Sequence, residues 1–313
     1  MTDLTSKPTA LRLARRDVIA GGAALALSAP AAHAAKVIIK EAPDPAQAAA
    51  DAQAAKRKIN LAGRQRMLSQ RMAKAAAFVR LGIEPERHLE MMKGAYELFD
   101  VTLKGLHHGN ADQGLTPEGD AKVVEALNVV EGLWYGYGAA VKHAIESGAV
   151  TEADMDAIAR LNGPVLVTMN AAVKEFETAY GNNSISLGLA IAINVSGRQR
   201  MLSQKMSKEV ALCALGMNPE ETKEALANTI RLFDLSLTAL IDGLPTVSII
   251  KPPTEEVDAK LREVRALWTS FKPVVDSVAA SGQPTLGELA KVAAQNDPLL
   301  KTMNEAVFLY ENA

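Results

Sequence analysis

Ile59-Asn-Leu-Ala-Gly-Arg-Gln-Arg-Met-Leu-Ser-Gln-Arg-Met-Ala-Lys74 returns as Ile193-Asn-Val-Ser-Gly-Arg-Gln-Arg-Met-Leu-Ser-Gln-Lys-Met-Ser-Lys208, with twelve of the sixteen positions identical. The offset is 134 residues (193 − 59), and the same offset holds to the end of the chain. It aligns Leu81-Gly82 with Leu215-Gly216, Pro85-Glu86 with Pro219-Glu220, and Leu98-Phe99-Asp100 with Leu232-Phe233-Asp234. It also aligns Trp134 with Trp268, Asn162 with Asn296, Pro164 with Pro298, and Met169-Asn170 with Met303-Asn304. One constant offset means a duplication whose connections kept their lengths, and a repeat of this size is the first thing a fold must explain.

Each copy reads as four helices. In the first copy they run from about residue 45 to 80, 86 to 108, 119 to 146 and 152 to 180. Gly82 with Pro85, the Gly109–Glu118 stretch with its Gly, Asn and Pro, and Ser147-Gly148 supply the breaks. A kink is expected near Gly163-Pro164, and Ser184 is the candidate cap for the helix that opens the second copy. Apolar residues such as Leu98, Val101 and Leu106 recur at helical rather than strand spacing. The 313 residues are 48% hydrophobic, 22% charged and only 4% aromatic, which suits helices and about two domains. The expected fold is all-α: two tandem four-helix bundles, a pseudo-dimer, with the first domain at 35–180 and the second at 184–313.

Residues 1–34 read as an export signal. Arg12, Arg15 and Arg16 precede a short apolar run from Val18 to Ala29, and Ala32-His33-Ala34 offers a cleavage site. The adjacent Arg15-Arg16 resembles a twin-arginine signal, and a general secretory signal is the other reading. The run is shorter than the roughly 20 residues a spanning helix needs. A soluble, periplasmic mature chain is expected. A net charge of −2 gives no broad basic surface for nucleic acid. Cys213, the only cysteine, sits among Ala211, Leu212, Ala214 and Leu215 and reads as a buried small hydrophobe.

The repeated segment is where function is expected. Ile59, Gly63, Arg66 and Gln70 share one helical stripe, and Asn60, Arg64, Met67 and Arg71 share the next. A glycine inside a helix costs about 1 kcal/mol against alanine. That cost suggests close approach by another helix or by a small ligand. Helical side chains lean toward the N-terminus, so Arg66 reaches back over Gly63, and Arg200 over Gly197. If the first helices of the two copies pack around a pseudo-two-fold axis, Arg66 and Arg200 face each other in a poorly solvated seam. A bound anion would relieve their repulsion, and guanidinium presents paired donors to oxyanions. The other reading of the pair is a structural salt bridge across the bundle. Asn60, Asn194, Gln65 and Gln199 either orient the arginines or cover the helix surface. Arg64, Arg198, Arg71 and Lys205 read as surface or supporting residues, and Met67, Met72, Met201 and Met206 as core.

No enzyme is expected: no phosphate loop, nucleophile elbow or paired zinc-ligand motif stands out. His107-His108 point about 100° apart on a helix, so they are not expected to hold one ion, and no metal or cofactor is assigned. Trp134 and Trp268 read as core anchors.

At Ile59–Ser69 and Ile193–Ser203 the segment resembles the nitrate/nitrite-responsive sensor domain of bacterial membrane receptors. This is the PilJ-type N-terminal domain of type IV pilus-linked chemotaxis transducers, related to that of nitrate/nitrite sensor kinases. The resemblance implies one nitrate or nitrite ion held between two subunits, at the positions of Arg66, Arg200, Gly63 and Gly197. It also implies that one chain forms a site that elsewhere needs a homodimer. Arg64 and Arg198 match pilus-type members and are included among the candidate ligand-binding residues, with Asn60 and Asn194. The implied function is a periplasmic binding protein for a small oxyanion, nitrate or nitrite first, read by a partner such as a membrane sensor. The alternative is a ligand-free interaction module in the envelope, linked to pilus or chemotaxis components. On the first reading Arg66→Ala or Arg200→Ala abolishes binding and Lys74→Ala does not.

Overall fold

The structure, a computed structural model, describes residues 44–181 and 184–313. The export-signal reading of residues 1–34 lies outside the described residues. Eight α-helices account for most of what is described. They are α1 (Pro45–Arg80), α2 (Pro85–His108), α3 (Ala121–Ser147) and α4 (Glu152–Tyr180), then α5 (Leu187–Ala214), α6 (Pro219–Asp242), α7 (Glu255–Ser281) and α8 (Leu286–Asn312). A single 3-10 turn follows α2 and another follows α6, at Ala111–Gln113 and Pro245–Val247.

Local chemistry sets the helix ends, and it repeats with the sequence. Thr151 and Asp154 form a reciprocal capping box on α4, and Thr285 and Glu288 form its copy on α8. Pro85 and Pro219 open α2 and α6 at the position where a missing N–H costs nothing. The cap of α5 is Ser186, whose hydroxyl accepts from the Leu189 N–H at 3.3 Å, and not Ser184. Two residues decide that: Ser186 directly precedes Leu187, the first residue of the regular helix. Both α4 and α8 run through their internal prolines, Pro164 and Pro298.

Within each copy the helices close a ring. In the first, α1 packs on α2 and α4, α2 on α3, and α3 on α4; the second repeats this with α5 to α8. The outer helices bury one stripe each. On α2 it is Met92, Ala95, Phe99, Leu103 and Leu106; on α3 it is Val123, Leu127, Val130, Trp134, Tyr137 and Val141. Each tryptophan bolts two helices together. Trp134 Nε1 donates to Asp100 Oδ1 at 3.1 Å while its ring lies 4.2 Å from Phe99, and Trp268 Nε1 donates to Asp234 Oδ1 at 3.0 Å with its ring 4.5 Å from Phe233.

The two bundles then meet through α1 and α5, the most extensive helix–helix contact in the molecule. The duplicated first helices therefore do pack side by side. Their burial follows from this: α1 is enclosed by α2, α4 and α5, and nearly every residue from Ala55 to Phe78 is buried. A helix enclosed on all sides has no polar face on which to dispose of Arg66, Gln70 and Lys74, so each must find a partner in the interior.

Candidate functional site

The centre of the α1–α5 seam holds two arginines related by the repeat. Arg66 is 1% exposed and Arg200 is 3% exposed. Arg66 donates from Nη1 to Asn170 Oδ1 at 3.1 Å on α4 and from Nη2 to the Asn194 carbonyl at 3.2 Å on α5. Arg200 mirrors it. Its Nη1 donates to Asn304 Oδ1 at 3.3 Å on α8, and its Nη2 to the carbonyl and the Oδ1 of Asn60 at 3.3 and 2.8 Å. Each guanidinium thus crosses from its own bundle to the other.

Gly63 and Gly197 make room for this crossing. A Cβ at Gly63 would stand 3.2 Å from Arg66 Nη2 and 3.9 Å from Arg200 Nη2. At Gly197 the distances are 3.3 Å to Arg200 Nη2 and 3.6 Å to Arg66 Nη2. Nothing else lies within 4 Å of either position. The glycines therefore admit the tips of both guanidinium groups and not the backbone of the facing helix. Gly63→Ala and Gly197→Ala are expected to keep the fold, because the obstructing atom is the end of a flexible side chain. Helix propensity should raise stability by about 1 kcal/mol per site. If the arginine tips form a ligand site, the added methyl should weaken anion binding by about tenfold, or 1.4 kcal/mol. Parallel melting and titration of each variant measure both, and unchanged affinity would remove the glycines from the site.

No carboxylate forms an ion pair with Arg66 or Arg200 among the described residues. That removes the salt-bridge reading of the pair. The nearest acids stand one layer back: Glu177 accepts from Asn194 Nδ2 at 2.5 Å, and Glu311 accepts from Asn60 Nδ2. Burial, with Arg198 and Arg200 nearby, pulls Arg66 down to about 9, against a smaller opposing pull from Glu177. Burial and Arg64 pull Arg200 down to about 9, with Glu311 opposing. Both remain cationic at neutral pH, so the seam holds two desolvated charges without direct counter-charges, a costly arrangement. Arg200 Nε is buried and has no acceptor.

The other expected site residues divide. Asn60 and Asn194 are in the site, each linking an arginine to a glutamate. Arg64 and Arg198 act on it electrostatically and make no hydrogen bond to the arginine pair. Gln65 and Gln199 turn away, donating to the Phe99 carbonyl at 3.0 Å and the Phe233 carbonyl at 3.2 Å. Arg71 pairs with Asp297 of the other bundle, and Lys205 with Glu209. Asn170, Asn304, Glu177 and Glu311 were missed. Each recurs at the repeat offset, which was the available signal.

A second cross-bundle layer lies two helical turns farther along. Lys74 Nζ donates to Asn296 Oδ1 at 2.8 Å, and Lys208 Nζ donates to Asn162 Oδ1 and Gln70 Oε1, both at 2.9 Å. Asn162 and Asn296 in turn donate to the Ser69 and Ser203 carbonyls. Lys74 is thus a buried strut of the seam and unsuitable as the silent control the sequence suggested. Burial pulls Lys74 down to about 7, opposed in part by Asp297, and pulls Lys208 down to about 8, opposed in part by Glu209. Both values fall below the ordinary 10.5. Between them and 10.5 the unfolded chain binds more protons, so stability rises with pH in that window and the cost of burying the charge is complete below it. Each lysine contributes at most about 1.4 kcal/mol per pH unit. Urea unfolding of the chain should show stability rising from pH 7 to 9, and Lys74→Met with Lys208→Met should flatten the rise. An unchanged slope would contradict the assignment.

The family model described as "Type IV pili methyl-accepting chemotaxis transducer N-term" matches residues 46–160 and, a second time, residues 182–294. The chain belongs to this PilJ family. Each match begins near the head of one bundle and ends inside its last helix, α4 or α8. Among curated proteins, the methyl-accepting chemotaxis protein McpN of Pseudomonas aeruginosa is 30% identical to the PilJ-type chain over 131 residues. The matched stretch is 40% of this chain and 24% of that protein, so the chain spans about a quarter of the relative's length. The family is one of transducer sensing modules and not of enzymes. Among the described residues, no helix is long and apolar enough to cross a membrane.

Proposed function

We propose that this PilJ-type chain is an exported sensor module that binds one small planar oxyanion, nitrate or nitrite, between Arg66 and Arg200, and that a partner protein reads the bound state. One observation carries the reading. Two buried arginines, brought together by a duplication, converge on the same pair of glycines with no carboxylate between them. Each Nη2 stands within 4 Å of both glycine Cβ positions, so the guanidinium tips need only turn from the Asn60 and Asn194 carbonyls to grip a ligand between them. Two planar donor forks suit a planar anion. One negative charge removes most of the repulsion while Glu177 and Glu311 balance the rest from behind. Binding would tighten α1 against α5, and because each arginine also holds the other bundle's backbone, the two bundles would shift together. The family description and the relative's name support a role in chemotactic signalling, and the expected partner is a membrane receptor or sensor.

The test is a thermal-shift screen of the chain against nitrate, nitrite, sulfate, phosphate and chloride. A ligand that binds only the folded state raises the melting temperature once its concentration passes the dissociation constant. A rise with nitrate or nitrite alone is the expected result. No rise with any anion would leave the arginines as structural struts and favour the interaction-module reading.

A further inference from the structure

One feature of the first bundle has no counterpart in the second. His107 and His108 are the last two residues of α2, and Glu131 faces them from α3. Adjacent helix positions project about 100° apart, which by direction alone keeps two histidines from sharing an ion. That holds for the Cα–Cβ directions, yet the side chains turn so that the two rings stack, with centroids 4.1 Å apart and planes 15° from parallel. His107 Nδ1 lies 3.0 Å from Glu131 Oε1. One nitrogen from each ring and one Glu131 oxygen all lie within 4.8 Å of one another.

The hydrogen bond to Glu131 accounts for His107. It does not account for His108, which is exposed and makes no hydrogen bond among the described residues, yet keeps its ring against His107. The backbone beneath is fixed: the Glu118 N–H donates to the His107 carbonyl at 3.1 Å, and Gly109, at φ +89°, turns the chain away with its N–H on the Gly105 carbonyl. Two imidazole nitrogens and a carboxylate oxygen on a fixed base are a ligand set for a borderline divalent metal. In a tetrahedral zinc site, bonds near 2.0–2.1 Å put ligand atoms roughly 3.4 Å apart. Closing from 4.8 Å requires the three side chains to rotate toward one another.

We propose that His107, His108 and Glu131 bind a zinc-type divalent ion, with water completing the coordination, and that this site belongs to the first bundle alone. The second bundle shows what stands there otherwise. Ile241 and Asp242 replace the histidines, and Arg265 replaces Glu131 and pairs with Asp234 at 2.8 Å. The ion would pin the end of α2 to α3, as the Arg265–Asp234 pair pins α6 to α7. It would also give the two otherwise similar bundles different surfaces.

The experiment uses the full chain after chelator treatment. Zinc chloride is titrated by calorimetry, and melting is followed with and without the metal. One zinc per chain and a raised melting temperature are expected. His107→Ala, His108→Ala and Glu131→Gln should each weaken binding by about tenfold or more, since losing even an outer partner of a metal ligand costs that much. His143→Ala, which removes an exposed histidine paired with Asp154, should leave it unchanged. Zinc binding of equal strength in wild type and all four variants, or no binding to the wild type, would overturn the assignment.

Discussion

Arg200→Ala and Arg66→Ala should each abolish nitrate or nitrite binding while leaving a folded chain. Each arginine is one of two donors that meet at Gly63 and Gly197, and no lysine or third arginine stands close enough to those glycines to replace it. A charge-assisted hydrogen-bonding pair is worth about 3 kcal/mol, more than a hundredfold in affinity. The fold should persist because the change removes a buried charge that lacks a direct counter-charge. Against that stand the lost bonds to Asn170 and Asn194, or to Asn304 and Asn60. Lysine in place of either arginine keeps the charge and loses the fork, so it should restore the melting behaviour and little of the affinity. Titration of each variant with nitrate measures this. Wild-type affinity in both alanine variants would mean that the anion binds elsewhere or not at all.

Trp268→Ala should be the most destabilising single substitution in the second bundle, by about 3–5 kcal/mol. The side chain is 1% exposed, fills the space between α6 and α7 against Phe233 and Phe271, and satisfies Asp234 through its indole N–H. Its removal leaves a cavity and strips one partner from Asp234, which keeps Arg265. Trp134→Ala should cost less. That side chain is 9% exposed, against 1% for Trp268. Urea unfolding of the two variants gives the comparison. Near-equal stability to wild type for Trp268→Ala would mean that α6 and α7 are not held as described.

The periodic parts of this fold were legible from residues alone. The outer helices carry plain stripes, such as Met92–Phe99–Leu106, with breaks at Gly82, Gly148 and their copies. The pairing of the two bundles was visible only as a condition. Spacing shows that Arg66 and Arg200 are equivalent, but nothing in the spacing says that α1 lies against α5. The arginines and glycines could be named because helical geometry ties a side chain to the turn before it. Asn170, Asn304, Glu177 and Glu311 could not, because they reach the site from the far ends of α4 and α8, and only packing brings them there. Gln65 and Gln199 show the same limit from the other side. They belong to the repeated segment, yet one residue of rotation around the helix turns them to the carbonyls of Phe99 and Phe233. Lys74 enters the sequence reading only as a variant expected to leave binding intact, and its burial follows from a helix enclosed on every side.

The most direct test of the central claim is a calorimetric titration of the chain with nitrate, paired with the mass of the bound species in solution. One ion per chain on a monomer is the expected result, since both arginines come from the same polypeptide. One ion shared by two chains, appearing only with a dimer, would contradict it.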